Sequence, residues 1–334
     1  MPALDRQGVH TIVVLIHQGG GQAHDEQYDG CNDMQGPILD LAAAMPDEVV
    51  ALVSGHTHRA YNCTIGDKLV TSAASFGRLI TDIELDVDRA TDRTVAKRAH
   101  NVIVTRDVPP APAETAILEH YRGFYTKLAH RVVGAITQTF SRRSSASGES
   151  ALGDLIADAQ LETARRIAGP DVAFAFMNPG GIRGDLTAKA GAGSDVTYEA
   201  IYNVQPFGNA VMVKTMTGDA IRRVLEQQFD ASGAARVLLQ VSRGLTYQYY
   251  ATRPVGQHVD AATILINGAR LQPARKYRVA MNEFLANGGD GFSVFLSSAT
   301  APVNCGRDLD ALAAYLTAHS PVSPDPTPRI VRVH

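Results

Sequence analysis

The chain has 334 residues, a formal net charge of −3 at pH 7 and 45% hydrophobic residues, a composition typical of a globular protein long enough for two domains. The slightly acidic balance argues against a nucleic-acid or membrane-surface partner, and no apolar run reaches the ~18 residues of a membrane span. No signal peptide is recognised at the start, and nothing in the sequence indicates an oligomeric state.

Two short apolar runs near the start predict buried strands. Residues 11–16 and 49–53 are rich in β-branched side chains and carry no charge, as expected of strands covered on both faces. A helix is predicted between them at residues 37–45. Residues 68–71 and 80–87 alternate in polarity and predict antiparallel strands. The mixture of strands and helices indicates the α/β class.

Three histidines follow the buried strands and are candidate metal ligands. His17 comes directly after the first strand, and His56 and His58 lie in a Gly-His-Thr-His run directly after the second. The ends of such strands are where open α/β layers place their sites. Neutral imidazoles bind zinc, manganese and similar ions. The alternative is that His56 and His58 are polar loop residues, but the position of His17 favours a metal site.

A proline-rich segment separates two predicted domains. Three prolines within residues 109–112 mark a linker at residues 109–131, between a first domain of residues 1–108 and a second of residues 132–334. Residues 113–130 of the linker have the spacing of an amphipathic helix. The apolar positions of its predicted face are Ile117, Leu118, Tyr121, Tyr125 and Leu128.

The second domain contains helices whose ends are marked in the sequence. Ser150 can cap a helix that continues through Ala168, Asp154 sits favourably in its first turn, and Gly169 stops it. Thr217 caps a second helix, predicted at residues 220–229. Strands are predicted at residues 172–177, 211–216 and 277–281, and the proline-rich residues 321–328 are predicted to form a loose tail.

Five residues in or near glycine turns are candidate ligand contacts. They are Asn178, Arg183, Phe207, Phe284 and Asp290. Asn178 opens an Asn-Pro-Gly-Gly turn, where paired glycines let backbone approach a ligand closely. Arg183 offers a planar fork that suits phosphate, or it is a surface arginine. Phe207 and Phe284 can clamp a base between their rings, or they belong to the core. Asp290, between two glycines, can bind vicinal hydroxyls or serve as a turn residue.

These motifs, in this order, resemble the secreted bacterial 5'-nucleotidases, a family of two-domain metallophosphoesterases. The resemblance is carried by residues 55–58, 148–159, 178–183, 206–208 and 284–292. It implies a partial calcineurin-like metallophosphoesterase α/β sandwich followed by an α+β 5'-nucleotidase C-terminal domain. The implied reaction is hydrolysis of nucleoside 5'-monophosphates, or related nucleotides, to nucleoside and phosphate at a two-metal site.

The resemblance also implies roles for the candidate residues. These roles are metal ligation by His17, His56 and His58, phosphate and ribose binding by Arg183, base contact by Asn178, a base sandwich of Phe207 and Phe284, and ribose-hydroxyl binding by Asp290. The ions would be divalent, such as zinc, manganese or cobalt, and the partner would be a nucleotide.

A periplasmic or extracellular location is implied as well, and it bears on the cysteines. The family functions in an oxidising compartment, and Cys31 and Cys63 flank the histidine region. We therefore expect a disulfide between them, with Cys305 left free. The alternative is three buried thiols.

The chain departs from the family pattern in its first domain. The Asp-x-His, Gly-Asp and Gly-Asn-His-Asp motifs that open the family's catalytic domain do not occur ahead of His17, which suggests a chain truncated at its N-terminus. Asp25 or Asp33 would have to complete a metal site. A second phosphate-binding arginine of some members is not matched near Gly148, although Arg142 and Arg143 are close.

These departures set the expected activity. The chain is expected to bind nucleotides and to be weakly active or inactive, because three neutral imidazoles compensate little charge and cannot bridge two ions. The alternatives are a non-catalytic nucleotide-binding fragment, and a phosphodiesterase or sugar-nucleotide hydrolase that shares the base-binding domain.

Overall fold

The computed structural model describes residues 2–23, 27–188, 194–230, 235–297 and 301–333. The chain divides into two compact units, Met1–Thr115 and Ala116–His334, so the division falls inside the helix Pro112–Ala129. This helix is the one predicted at residues 113–130. The apolar side chains of its predicted face, such as Ile117 and Tyr121, are exposed. Both units mix helices and strands, which confirms the predicted class.

The first unit is built on a four-stranded sheet. In spatial order its strands are Ile12–Ile16, Val49–Ser54, Lys68–Ala73 and Ala60–Ile65. The first three are parallel, and the fourth is antiparallel to the third. The helix Ile38–Ala44 packs on the sheet. The strands predicted at residues 11–16 and 49–53 and the helix between them are therefore confirmed.

Several strands of this unit differ from the sequence prediction. Residues 68–71 were predicted to alternate between buried and exposed side chains, yet the first five residues of the strand Lys68–Ala73 are all buried. The reason is that the helix covers one face of the sheet and an antiparallel ribbon, Leu79–Asp88 with Arg93–Ile103, covers the other. The strand Ala60–Ile65 was not predicted, because polar residues interrupt its apolar pattern.

A disulfide ties the loop before the helix Ile38–Ala44 to this sheet. Cys31 and Cys63 are bonded, and Cys305 is a free, buried thiol, so the expected pairing is confirmed. The same loop is held by Asp29, whose carboxylate accepts hydrogen bonds from Asn62 Nδ2 at 3.1 Å and from the Asn101 backbone N–H at 2.8 Å. The unit is completed by the helix Pro2–Asp5 and the short pair Gly21–Gln22 and Met34–Gln35.

The second unit contains a mixed five-stranded sheet. In spatial order its strands are Gln240–Val241, Val172–Met177, Lys276–Asn282, Ala210–Thr217 and Val303–Arg307. The smaller sheets are Ala269–Arg270, Leu265–Ile266, Leu245–Tyr250 and Ile330–Val333 in one, and Ser194–Thr197 with Val132–Ile136 in the other. The strands predicted at residues 172–177, 211–216 and 277–281 are confirmed.

Two helices of this unit, Ala151–Ala168 and Gly218–Glu226, begin at caps that the sequence predicts, and the second was predicted at residues 220–229. Other helices of the unit are Tyr198–Val204, Glu283–Ala286 and Asp308–His319. Ser150 Oγ accepts a hydrogen bond from Gly153 N at 3.1 Å, and Thr217 Oγ1 accepts one from Ala220 N at 3.2 Å. Both predicted caps are therefore confirmed. Among the described helices, none is sufficiently long and apolar to cross a membrane.

The proline-rich end of the chain is not the loose tail that the sequence predicts. Val322 lies beside the strand Val132–Ile136: its N–H donates to Ala135 O at 2.9 Å, and its carbonyl accepts from Thr137 N at 2.9 Å. Arg329 is buried, and the strand Ile330–Val333 then pairs in parallel with Leu245–Tyr250. Prolines conceal this order because they break any local periodicity.

Asp154 is not the favourably placed helix-terminus carboxylate that the sequence predicts. Its side chain is buried next to Glu149, and both lie close to Arg329. Burial raises its pKa from 3.8 to about 8; Arg329 opposes this effect, and Glu149 and Asp158 add to it. The attraction of the helix terminus for negative charge, at most ~2 kcal/mol, does not offset the desolvation.

This raised pKa predicts a stability that falls with rising pH. The folded chain keeps a proton on Asp154 that the unfolded chain releases above 3.8. The stabilisation is complete below 3.8 and is lost as the pH rises through about 8. Over that window the free energy of unfolding should fall by up to ~1.4 kcal/mol per pH unit. Asp154→Asn should flatten this slope in urea unfolding between pH 5 and 9, and exposed Asp195→Asn should not. Equal slopes for all three proteins would contradict the assignment.

Candidate functional site

A tight turn at the end of a buried strand carries the first two candidate residues. All six residues of Val172–Met177 are buried, and a single 3₁₀ turn, Pro179–Gly181, follows. The turn ends at Arg183, whose backbone N–H donates to Val204 O at 2.8 Å. The Arg183 guanidinium donates from Nη1 to Gly180 O at 3.1 Å. The half-buried arginine is thereby held against the glycine turn.

The carboxamide of Asn178 is occupied by two protein partners. Its Oδ1 accepts a hydrogen bond from Asn282 Nδ2 at 2.8 Å, and its Nδ2 donates to Asp290 Oδ2 at 3.1 Å. Asn178 is buried, and Asp290 is partly exposed. Asn178 thereby holds the Asp290 carboxylate, and the base contact that the resemblance implies for Asn178 stays a prediction. Asn282 was not singled out in the sequence.

The two candidate phenylalanines are surface residues. Phe207 is 58% exposed and Phe284 is 40% exposed, which excludes the alternative that they belong to the core. Phe284 stands in the short helix Glu283–Ala286, and its ring packs so closely on Gly289 that a Cβ there would lie 2.4 Å from it. The Arg183 guanidinium carbon lies 5.8 Å from the centre of the Phe207 ring.

A second arginine stands beside Arg183. Arg142 donates from Nη1 to Ile182 O at 2.8 Å, and its backbone N–H donates to Asp185 Oδ1 at 2.7 Å. Burial, followed by the charge of Arg142, lowers the pKa of Arg183. An arginine remains protonated despite such a shift. The pair therefore forms a concentrated positive charge that an anion would relieve.

These contacts join the five candidates of the second unit into one surface. Arg183 contacts both Phe207 and Gly180, and a Cβ on Gly180 would lie 4.0 Å from Asp290 Oδ2. Asn178 binds Asp290, and Phe284 packs on the glycine just before Asp290. The surface therefore offers two aromatic faces, one carboxylate and two guanidinium groups.

The candidate metal ligands in the first unit are only partly gathered. His17 follows Ile12–Ile16 and His56 follows the parallel neighbour Val49–Ser54, so their exposed rings meet with centroids 5.0 Å apart. Thr57 links the two loops, because its Oγ1 donates to Gly20 O at 2.7 Å. The ring of His58 packs edge-on against Phe76, with centroids 5.5 Å apart.

Of the three candidate histidines, only the His17 and His56 rings are therefore brought together. Two imidazoles as close as those of His17 and His56 can share an ion as neutral ligands. In the part of the chain that the structure describes, however, no group of three or more His, Cys, Asp or Glu side chains is placed to hold one. Asp33 is exposed and joins no such group, and Asp25, with His24, lies outside the described residues.

The chain is similar in sequence to several known proteins. Residues 132–297 match the family model of the 5'-nucleotidase C-terminal domain. The cell wall protein Lmo0130 of Listeria monocytogenes is 33% identical over 307 residues, which are 86% of this chain and 38% of that protein. The endonuclease YhcR of Bacillus subtilis is 28% identical over 315 residues, which are 94% of this chain and 24% of that protein.

A solved structure matches over the whole chain. The 5'-nucleotidase precursor from Thermus thermophilus has a TM-score of 0.70 and 27% identity, covering 99% of this chain and 66% of that one. The chain thus spans well under half of the two relatives above. Residues 132–297 therefore belong to the family of 5'-nucleotidase C-terminal domains, and the chain has the fold of a 5'-nucleotidase.

Proposed function

We propose that the chain binds nucleoside 5'-monophosphates as part of a nucleotide phosphohydrolase. The proposal is carried by the continuous surface from Phe207 through Arg183 to Asp290. Any of the bases can stack on exposed aromatic rings, because every base has a π-face. The Asp290 carboxylate accepts hydrogen bonds from the vicinal hydroxyls of ribose. Arg183, with Arg142 beside it, binds the phosphate through charge-assisted hydrogen bonds.

His17, His56 and His58 are proposed as metal ligands of the first unit. The pairing of the His17 and His56 rings supports this proposal. Divalent zinc, manganese or cobalt bound there would polarise a phosphate oxygen and lower the pKa of a water molecule. Two gathered imidazoles leave an ion in need of further ligands, so hydrolysis by this chain requires groups beyond them.

Catalysis by this chain is therefore expected to be slow or absent. Phosphate release from a nucleoside 5'-monophosphate, with manganese, cobalt or zinc titrated in, measures this directly. Turnover of ~1–10³ s⁻¹ would show that other residues complete the ion site. Cleavage of diesters or sugar nucleotides to phosphomonoesters, without release of phosphate from a nucleoside monophosphate, would favour the second enzyme class that shares such a base-binding domain. Binding without turnover would identify a nucleotide-binding chain.

A periplasmic or extracellular location is also proposed. Disulfides persist in oxidising compartments, and Cys31 is bonded to Cys63. The relative from Listeria monocytogenes is named a cell wall protein, which supports the same location.

Arg183→Lys tests the phosphate contact. An ammonium group cannot reproduce the planar fork of a guanidinium, and hydrogen bonds to charged groups contribute about 1.5–3 kcal/mol. Calorimetry should show nucleoside monophosphate binding weakened by that amount and nucleoside binding almost unchanged. The matched control is Arg143→Lys, at the exposed arginine that follows Arg142 in the sequence. Unchanged monophosphate affinity in Arg183→Lys would make Arg183 an ordinary surface residue.

A further inference from the structure

Asn282 links the helix that carries Phe284 to the strand before the glycine turn. It is fully buried at the end of the strand Lys276–Asn282. Its Oδ1 accepts a hydrogen bond from Leu285 N at 2.9 Å and so caps the helix Glu283–Ala286. Its Nδ2 donates to Asn178 Oδ1 at 2.8 Å. The oxygen and the nitrogen of this one carboxamide therefore have separate tasks.

The donor of Asn282 sets the orientation of Asn178. Because Asn178 Oδ1 accepts from Asn282, its Nδ2 must point the other way, where it donates to Asp290 Oδ2 at 3.1 Å. A flipped Asn178 amide would place its oxygen against the Asp290 carboxylate, and two acceptors repel each other. Both asparagines are buried, so water does not compete for the hydrogen bond between them.

The backbone of Asp290 is held separately from its carboxylate. Asp290 has a positive φ of 53°, between Gly288 at 79° and Gly291 at 77°. Arg236 Nη2 donates to the Asp290 carbonyl at 2.5 Å. This contact fixes the turn and leaves the direction of the side chain to Asn178. The carboxylate orientation thus depends on a series of amide hydrogen bonds that begins at Asn282.

We propose that Asn282 is a positioning residue for ribose recognition. By fixing the Asn178 amide, it aims the Asp290 carboxylate at the 2'- and 3'-hydroxyls of a bound nucleotide. The inference rests on the proposed nucleotide site, and it assigns Asn282 no contact with the ligand.

Asn282→Asp separates the two tasks of the side chain. The aspartate keeps an oxygen to cap Leu285 N and nearly the same volume, but it loses the donor to Asn178. Affinity for a nucleoside 5'-monophosphate should fall roughly tenfold, the loss typical of a hydrogen bond to a charged group. Affinity for the 2',3'-dideoxy counterpart, which lacks both hydroxyls, should stay unchanged. A purely structural role would lower both affinities equally and would overturn the proposal.

Two further measurements keep the test decisive. If Asn282→Asp does not fold, Asn282→Ser keeps a capping oxygen and replaces the amide donor to Asn178 by the hydroxyl of a shorter side chain, without adding a charge, and it should lose the same ribose-dependent increment. In an Asp290→Ala background, Asn282→Asp should cause no further loss, because the two residues act in series. An additive loss would contradict the proposal that Asn282 acts through Asp290.

A parent chain that binds the ribose and dideoxy nucleotides equally refutes the proposed ribose contact itself. A parent that discriminates, with a variant that discriminates equally well, refutes only the role of Asn282.

Discussion

Replacing Arg329 by methionine is expected to lower the free energy of unfolding by about 3–5 kcal/mol, as for other broken buried ion pairs. Arg329 is 4% exposed, and its guanidinium binds Asp158 through both Nη1 and Nη2 at 2.9 Å each. Nη1 also donates to Val241 O at 2.8 Å. Methionine has a similar length, but it leaves the buried Asp158 carboxylate with less compensation. The loss therefore exceeds the net contribution of the pair.

Arg332→Met is the matched control for this change. Arg332 stands in the strand Ile330–Val333, three residues after Arg329, and is exposed, so its replacement should change stability by less than ~0.5 kcal/mol. Urea unfolding followed by circular dichroism compares the two variants. In Arg329→Met, adding Asp158→Asn should recover part of the loss, because the uncompensated charge is then removed. Similar small losses for Arg329→Met and Arg332→Met would show that the C-terminal segment is not anchored by this ion pair.

Local signals in the sequence were sufficient for elements that carry their own cap or an uninterrupted apolar run. Ser150 and Thr217 cap their helices within three residues, and the apolar run of Val172–Met177 identifies its strand without knowledge of its neighbours. Elements defined by distant partners were missed. The strand Ala60–Ile65 exists because Lys68–Ala73 pairs with it, and its own pattern is mixed.

The burial of charged side chains could not be predicted from local sequence patterns either. Asp154 lies in the first turn of a helix, a position that ordinarily favours an ionised carboxylate. Its neighbours Glu149 and Arg329 come from a loop and from the far end of the chain, and only the folded arrangement shows that burial dominates. The same arrangement turns a proline-rich segment into an anchored one.

The candidate site shows the same limit. The sequence pointed to Asn178 and Asp290 because each lies in a glycine turn. Asn282, 104 residues from Asn178 in the chain, contributes through a single side-chain hydrogen bond. An asparagine at the end of a strand is common, and no spacing rule predicts that partner. Of the three histidines, His17 and His56 meet because their strands are parallel neighbours, whereas His58 depends on its turn.

Truncation of either exposed phenylalanine is expected to cause a large loss of nucleoside affinity. Stacking of a base on an aromatic ring contributes about 1–3 kcal/mol by alanine substitution. Phe207 and Phe284 are 58% and 40% exposed, so truncation removes ring surface without opening a cavity in the core. Stability should therefore change little while nucleoside affinity falls. The ring of Phe284 is positioned by its contact with Gly289, and that of Phe207 by the Arg183 guanidinium.

Phe207→Ala and Phe284→Ala should each weaken nucleoside and nucleotide binding by about 1–3 kcal/mol, and the double variant should bind more weakly than either. Binding of inorganic phosphate should be nearly unaffected, because phosphate has no ring to stack. Phe124→Ala, a 74% exposed phenylalanine in the helix Pro112–Ala129, controls for a general loss of aromatic surface. Calorimetry with a nucleoside, its 5'-monophosphate and phosphate distinguishes these outcomes. If both single variants bind nucleoside as well as the parent does, the rings do not clamp a base. If phosphate binding falls equally, the substitutions have disturbed Arg183 instead.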